Sequence, residues 1–287
     1  MTDVTLVNRS LKLAASIHGA ENARPLLFLH GLALSRDTWE EGVGRLAQNF
    51  RVWTLDFRGH GHSDHAASYT LADYVSDAST ALDAIGRPAV IVGHSLGGVV
   101  AGTIAQSADS NARAVLLEDP PWFHGDQAVF EGSPFPRLFA GLRARQTALR
   151  EAKAPLAAYL EFVAGAPSSA GGSARDHASP RQLLSQASAL QRMDLRCWDD
   201  IARVTAGATL SAVETAKPFL RPAFIVQADP ACGAALLEGH EGRLKATNPR
   251  ARIIRYLGSG HAPHRLNAYA NRFYDDVERF AAEAFAA

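Results

Sequence analysis

Apolar positions along the chain follow two rhythms. Short, nearly unbroken apolar runs at residues 25–30, 52–55, 89–92, 114–117 and 223–226 alternate with longer stretches where apolar residues recur every three or four positions. Unbroken runs suit strands covered by helices on both faces. Their alternation with helical patterns predicts parallel strands joined by crossover helices. Residues 252–257 supply one more strand, followed by a last helix whose Tyr269, Phe273, Val277 and Phe280 keep the helical period.

Between Pro121 and Pro222 the strand rhythm stops. Leu138, Leu142 and Leu149 mark one helix, and Ser179-Pro180 reads as an N-cap and first helical position for another that carries Leu183, Ala187 and Leu190 on one face. The small-residue stretch 166–173 reads as a loop and is expected to be the most mobile part of the chain. The expected fold is therefore α/β: a mostly parallel central sheet flanked by helices, built from residues 1–121 and 222–287, with 122–221 as an inserted helical cap.

Composition narrows the function. Lys+Arg and Asp+Glu are both 29, so the formal net charge is zero, which argues against nucleic-acid partners and anionic membranes because both attract a basic field. No apolar run approaches the ~20 residues of a membrane helix. The first residues lack the basic and apolar regions of a signal peptide, and Cys197 and Cys232 form no C-x-x-C pair. The expectation is a cytoplasmic protein, a monomer or homodimer, whose partner is a small molecule. It needs no metal and no cofactor.

The chemistry concentrates in Gly93-His94-Ser95-Leu96-Gly97, at the point where the 89–92 run ends and a helical pattern with Val99, Val100, Thr103 and Ile104 begins. A G-x-S-x-G at a strand-to-helix junction permits a cramped turn that lifts the hydroxyl above the sheet. The following helix aims its first N–H groups at the same spot, which favours an anion there. Such a turn without catalysis would be a structural glycine turn, the alternative reading.

With three further segments, His30-Gly31-Leu32, the Asp56-Phe57-Arg58-Gly59-His60-Gly61-His62-Ser63-Asp64 turn and Gly258-Ser259-Gly260-His261, the chain resembles a cap-bearing serine hydrolase of the α/β-hydrolase fold, of esterase or lactonase type. The resemblance covers most of 20–121 and 222–287 and omits the insert. It implies Ser95 as nucleophile, His261 as general base and the backbone N–H groups of Leu32 and Leu96 as an oxyanion hole. His264 stands close by and reads as structural or pocket-lining, while His30 reads as an anchor for its own loop.

Three acids compete for the third position. Asp119 follows the 114–117 strand, a placement that resembles haloalkane dehalogenases and zearalenone-lactone hydrolases. Asp229 follows the later strand but sits two residues early for the common pattern there. Glu118 is adjacent to Asp119, and successive strand side chains face opposite ways, so both cannot serve His261 equally. Asp119 is preferred, then Asp229, then Glu118. Trp122, Phe123, His124 and His94 are candidates for the substrate pocket, although the first three could equally pack the insert onto the core, and Phe135, Leu138, Phe139 and Leu142 for an apolar cavity between insert and sheet.

The expected activity is cleavage of a small, largely apolar carboxylic ester or lactone through an acyl-enzyme. Carbon–carbon bond hydrolysis, amide hydrolysis and perhydrolysis fit the same three residues. From another class, a small-molecule receptor built on this fold also fits, since a fold does not fix a function.

Overall fold

The computed structural model describes residues 1–168, 171–199 and 208–287, so part of the loop expected over 166–173 lies outside the described residues. In chain order come β1 (Thr2–Asn8), β2 (Leu11–His18), β3 (Arg24–Leu29), α1 (Glu40–Leu46), β4 (Phe50–Leu55), α2 (Leu71–Ile85), β5 (Ala89–His94), α3 (Leu96–Ala105) and β6 (Ala112–Glu118). The helices α4 (Gln127–Glu131), α5 (Phe135–Glu151), α6 (Leu156–Ala164), α7 (Pro180–Arg192) and α8 (Ala208–Ser211) follow with no strand of the sheet among them. Then β7 (Ala223–Ala228), α9 (His240–Thr247), β8 (Arg252–Tyr256) and α10 (Ala270–Ala286) complete the order.

The eight strands form one sheet in the order β1-β2-β4-β3-β5-β6-β7-β8. From β4 to β8 every pairing is parallel, while β1–β2 and β2–β4 are antiparallel. The β1–β2 hairpin is absent from the runs read above. Its residues alternate between exposed and covered, the pattern of a strand with one wet face rather than two dry ones.

Side chains on the parallel strands divide between two cores. Leu27, Leu29, Ile91, Val115 and Leu117 face α2, α3 and the apolar sides of α5–α7. Leu26, Phe28, Val90, Val92, Ala114 and Leu116 face α1 and α10, where Phe273, Val277 and Phe280 are buried as their period predicts. Both faces are dry, which is why these strands read as unbroken apolar runs. On α7 the cap also matches expectation: the Ser179 side chain accepts from the Gln182 N–H, and Leu183, Ala187 and Leu190 are buried. Leu138 of α5, by contrast, is exposed. None of the described helices is long and apolar enough to cross a membrane.

Register places the chemistry. His94, Glu118 and Val226 lie side by side at the ends of β5, β6 and β7, and the ladder runs one residue further through Ser95 N–H to the Glu118 carbonyl and Asp119 N–H to the Val226 carbonyl. Two residues that leave the sheet together therefore start from adjacent positions.

Candidate active site

Ser95 sits between β5 and α3 with φ 51° and ψ −113°, a left-handed conformation that costs a non-glycine residue about 1–2 kcal/mol. Close packing around the turn holds it there. A Cβ on Gly93 would lie 2.1 Å from the Gly97 carbonyl oxygen, and one on Gly97 would lie 2.2 Å from the Leu29 carbonyl oxygen. Only glycine fits at either place, and that is the physical content of the G-x-S-x-G spacing.

Asp119 leaves β6 in the same manner, with φ 43°. Its carboxylate is fully buried. Oδ2 accepts from the Ala235 N–H at 2.7 Å, and Oδ1 accepts from the Leu236 N–H at 3.1 Å and the Ala228 N–H at 3.3 Å. Three amides thus converge on this one carboxylate and hold it in place. Against this carboxylate stands His261, whose Nδ1–H donates to Asp119 Oδ2 at 2.6 Å and whose Nε2 accepts from the Ser95 hydroxyl at 2.9 Å.

Asp229 lies elsewhere. Its carboxylate accepts from the N–H groups of Gly258 (2.7 Å) and Ala231 (3.0 Å), and these two donors hold its pKa below the usual carboxylate value. It fastens the loop that carries His261 and does not touch the imidazole. Glu118 makes its contacts on the other side of β6: Oε2 is 2.7 Å from His264 Nδ1, Oε1 accepts from the His264 N–H at 2.8 Å, and His264 Nε2 is 2.9 Å from Thr38 Oγ1. This second carboxylate–histidine–hydroxyl chain was not anticipated as a unit; strand alternation hinted that Glu118 would face away, but its partner lies 146 residues on.

The turn after β3 completes the floor. His30 Nδ1–H donates to the Gly31 carbonyl at 2.8 Å, and Nε2 accepts from the Phe57 N–H at 3.1 Å, so its partners fix the tautomer. Burial keeps this imidazole neutral, well below its ordinary pKa. Gly97 N–H donates to the His30 carbonyl, tying the loop to the first turn of α3. Among the described residues the N–H groups of Leu32 and Leu96 donate to no protein acceptor, and both residues line the cavity over Ser95.

That cavity is small, about 20 Å³, room for about one water. Its walls are Leu32, Ser95, Leu96, Pro121, His124, Phe135, Phe139 and Leu210. Of the four apolar residues expected there, Phe135 and Phe139 line the cavity, while the exposed Leu138 and the half-buried Leu142 do not. A larger open groove of about 620 Å³ runs past Ala112, Arg113 and Ala223, and one of about 370 Å³ past Phe219, Ala223 and Asn248, both at the opposite ends of the strands from Ser95.

Three expected pocket residues are corrected by the structure. Trp122 is fully buried behind α3, its ring 5.1 Å from that of Phe219 and so near Gly102 that a Cβ there would meet it at 2.4 Å. Phe123 packs under the Arg243 guanidinium and against His240. His94 lies below the site: its Nε2–H donates to the His261 carbonyl at 3.2 Å, and its ring is buried. Each is large and close to Ser95 or Asp119 in sequence, but strand and helix direction turn it into the core. Pro121 and Leu210 gave no sequence signal, since an ordinary apolar residue becomes a wall only through the fold.

The assembled groups can pass a proton from a serine hydroxyl to an imidazole backed by a buried carboxylate, beside the Leu96 N–H at the start of α3 and the Leu32 N–H in the turn after β3. The chain is 36% identical over 100 residues to 3-oxoadipate enol-lactonase 1 of Acinetobacter baylyi, covering 34% of this chain and 38% of that protein. It is 36% identical over 133 residues to a non-heme chloroperoxidase of Burkholderia pyrrocinia, covering 44% and 48%. The matched stretches thus span about a third to a half of those relatives. Over nearly its full length it shares the fold of the enol-lactonase from Burkholderia xenovorans LB400, with TM-score 0.66, 20% identity and coverage of 97% and 99%. Because the model of the alpha/beta hydrolase family matches residues 26–274, across the sheet and the turns that hold Ser95, Asp119 and His261, the chain belongs to the alpha/beta hydrolase family.

Proposed function

We propose that this chain is a serine hydrolase that cleaves a small, largely apolar carboxylic ester or lactone through an acyl-enzyme. The carrying observation is the unbroken chain from Ser95 Oγ through His261 to Asp119, at 2.9 and 2.6 Å, opening on an apolar cavity. In the first step His261 Nε2 takes the Ser95 proton as Oγ attacks the carbonyl carbon, and the new oxyanion forms next to the N–H groups of Leu32 and Leu96. His261 then returns the proton to the leaving alcohol. A water deprotonated by the same nitrogen attacks the acyl carbon and restores Ser95. Asp119 holds the Nδ1–H tautomer and stabilises the imidazolium that forms twice per turnover.

Residues 122–221 act in this reading as a helical cap over the sheet domain formed by 1–121 and 222–287. Phe135 supports it, because its ring packs edge-on at 5.0 Å from the His261 ring and so brings the segment onto the chemistry. A fluorophosphonate probe tests the reading: a covalent adduct at Ser95, located by peptide mass spectrometry and abolished in Ser95→Ala, is expected. No adduct would remove it. Labelling without turnover of any aryl ester or lactone would favour a receptor instead.

A second reading, perhydrolysis, is favoured by the chloroperoxidase relative. Hydrogen peroxide would replace water in the second step and release a peracid. Peracid formation from an ester, lost in Ser95→Ala, checks it.

A further inference from the structure

His124 is the one polar side chain besides Ser95 among the described walls of the cavity. Its Nε2 lies 2.8 Å from the Ala235 carbonyl oxygen. A carbonyl only accepts, so Nε2 carries the hydrogen and Nδ1 keeps a lone pair. Burial, opposed by that bond, holds the ring neutral with a pKa lowered to about 4. No protein donor among the described residues meets Nδ1. Nor is it sealed away, unlike the orphaned His94 Nδ1 and His60 Nε2. The ring packs edge-on against Phe135 at 5.4 Å and Phe130 at 6.2 Å, and the Nε2 bond to the Ala235 carbonyl sets its orientation. Its anchor is tied to the catalytic machinery as well: the Ala235 N–H donates to Asp119 Oδ2.

We infer that His124 selects the acyl group: the substrate carries a hydroxyl or N–H donor that meets His124 Nδ1 when its carbonyl lies over Ser95. The inference rests on the hydrolase reading above and names its substrate class. The physical reason is asymmetry. An apolar acyl group would strip Nδ1 of water and leave an acceptor unpaired, which lowers reactivity by about ten- to a hundredfold relative to a donor of the same size. A carboxylate at the same place would meet a lone pair and, among the described walls, no cation.

The test uses p-nitrophenyl esters in isosteric pairs, glycolate against propanoate and 3-hydroxybutanoate against 3-methylbutanoate. Each kcat/KM is divided by the ester's own hydroxide-catalysed rate to cancel inductive effects. At least one hydroxyl ester is expected to lead its partner by tenfold or more in the wild-type protein. In His124→Phe the ratio should fall to within about twofold of one, and being internal to each variant it is unaffected by a general loss of rate. Wild-type ratios within twofold of one in both pairs overturn the inference without any variant, as does a preference that survives in His124→Phe. The fluorophosphonate probe separates the two failures: labelled Ser95 with no hydroxyl preference sinks the inference alone. An unlabelled Ser95 with no ester turnover sinks the hydrolase reading and this inference together.

Discussion

Two carboxylate–histidine–hydroxyl chains start from neighbouring residues at the end of β6; one ends on a hydroxyl that lines a cavity, and the other has its carboxylate and imidazole sealed in the core. Asp119–His261–Ser95 and Glu118–His264–Thr38 have nearly the same spacings, 2.6 and 2.9 Å against 2.7 and 2.9 Å. Their surroundings differ. The His261 side chain keeps 22% of its surface exposed and the His264 side chain none. Asp119 accepts three backbone amides beside its histidine; Glu118 accepts only that of His264. Burial pushes the Glu118 carboxyl well above its usual range and the His264 imidazole well below its own, so it disfavours charge on both partners. His264 also stacks on Trp39 at 4.1 Å, with no room for a reacting molecule. Triad-like distances are therefore not enough. Access, a carboxylate that accepts three amides, and a hydroxyl on a strained turn beside amides without an acceptor among the described residues separate the chain we propose as reactive from a brace.

The sharpest way to break this comparison is activity. Asp119→Asn, which keeps shape but favours the wrong tautomer, is expected to lower kcat by roughly 10³–10⁴-fold, whereas Glu118→Gln should cost less than about tenfold. Equal losses in steady-state assays on one aryl ester would make the two chains functionally alike. Stability should show the reverse emphasis. Glu118→Ala leaves the His264 Nδ1 and backbone N–H buried without a partner, at an expected cost of about 3 kcal/mol in urea unfolding. Glu118→Gln, able to donate to Nδ1 and accept from the His264 N–H, should stay within about 1 kcal/mol of wild type.

Acid should discriminate further. A histidine held below its ordinary pKa binds its proton later in the folded chain, so stability is lost as pH falls below 6.5. For His60 and His124, both lowered to about 4 by burial, the loss between pH 6.5 and 5 is about 2 kcal/mol each. Asp56, raised to about 6 by burial, acts oppositely and gains stability as pH falls below that value, as does Glu118 below its own raised pKa. Urea titrations of His60→Asn at pH 6.5 and 5 should therefore show a smaller acid loss than wild type, and those of Glu118→Gln a larger one. An effect on kcat well below that of Asp119→Asn is expected at Asp229→Ala. Losing two amide contacts that steady the His261 loop should lower kcat by about tenfold, and a loss as large as that of Asp119→Asn would make Asp229 the working acid.

Much of this was legible before any coordinates. Unbroken apolar runs fixed the parallel strands because two covered faces leave no polar position, and the glycines around Ser95 announced a turn that no Cβ permits. Alternation along β6 already separated Glu118 from Asp119. Other features had no local signature. The amphipathic β1–β2 hairpin belongs to the wet edge of the sheet, the partners of Glu118 and Asp119 come from loops more than 100 residues away, and aromatic residues beside the catalytic turns went into the core rather than the pocket. The sequence by itself determined which residues can do chemistry, through residue type and backbone constraint. The tertiary structure alone decided which acid faces His261, which histidine is sealed, and that His124 lines the cavity with Nε2 tied to the Ala235 carbonyl, because each depends on burial and on long-range hydrogen bonds that local pattern does not encode.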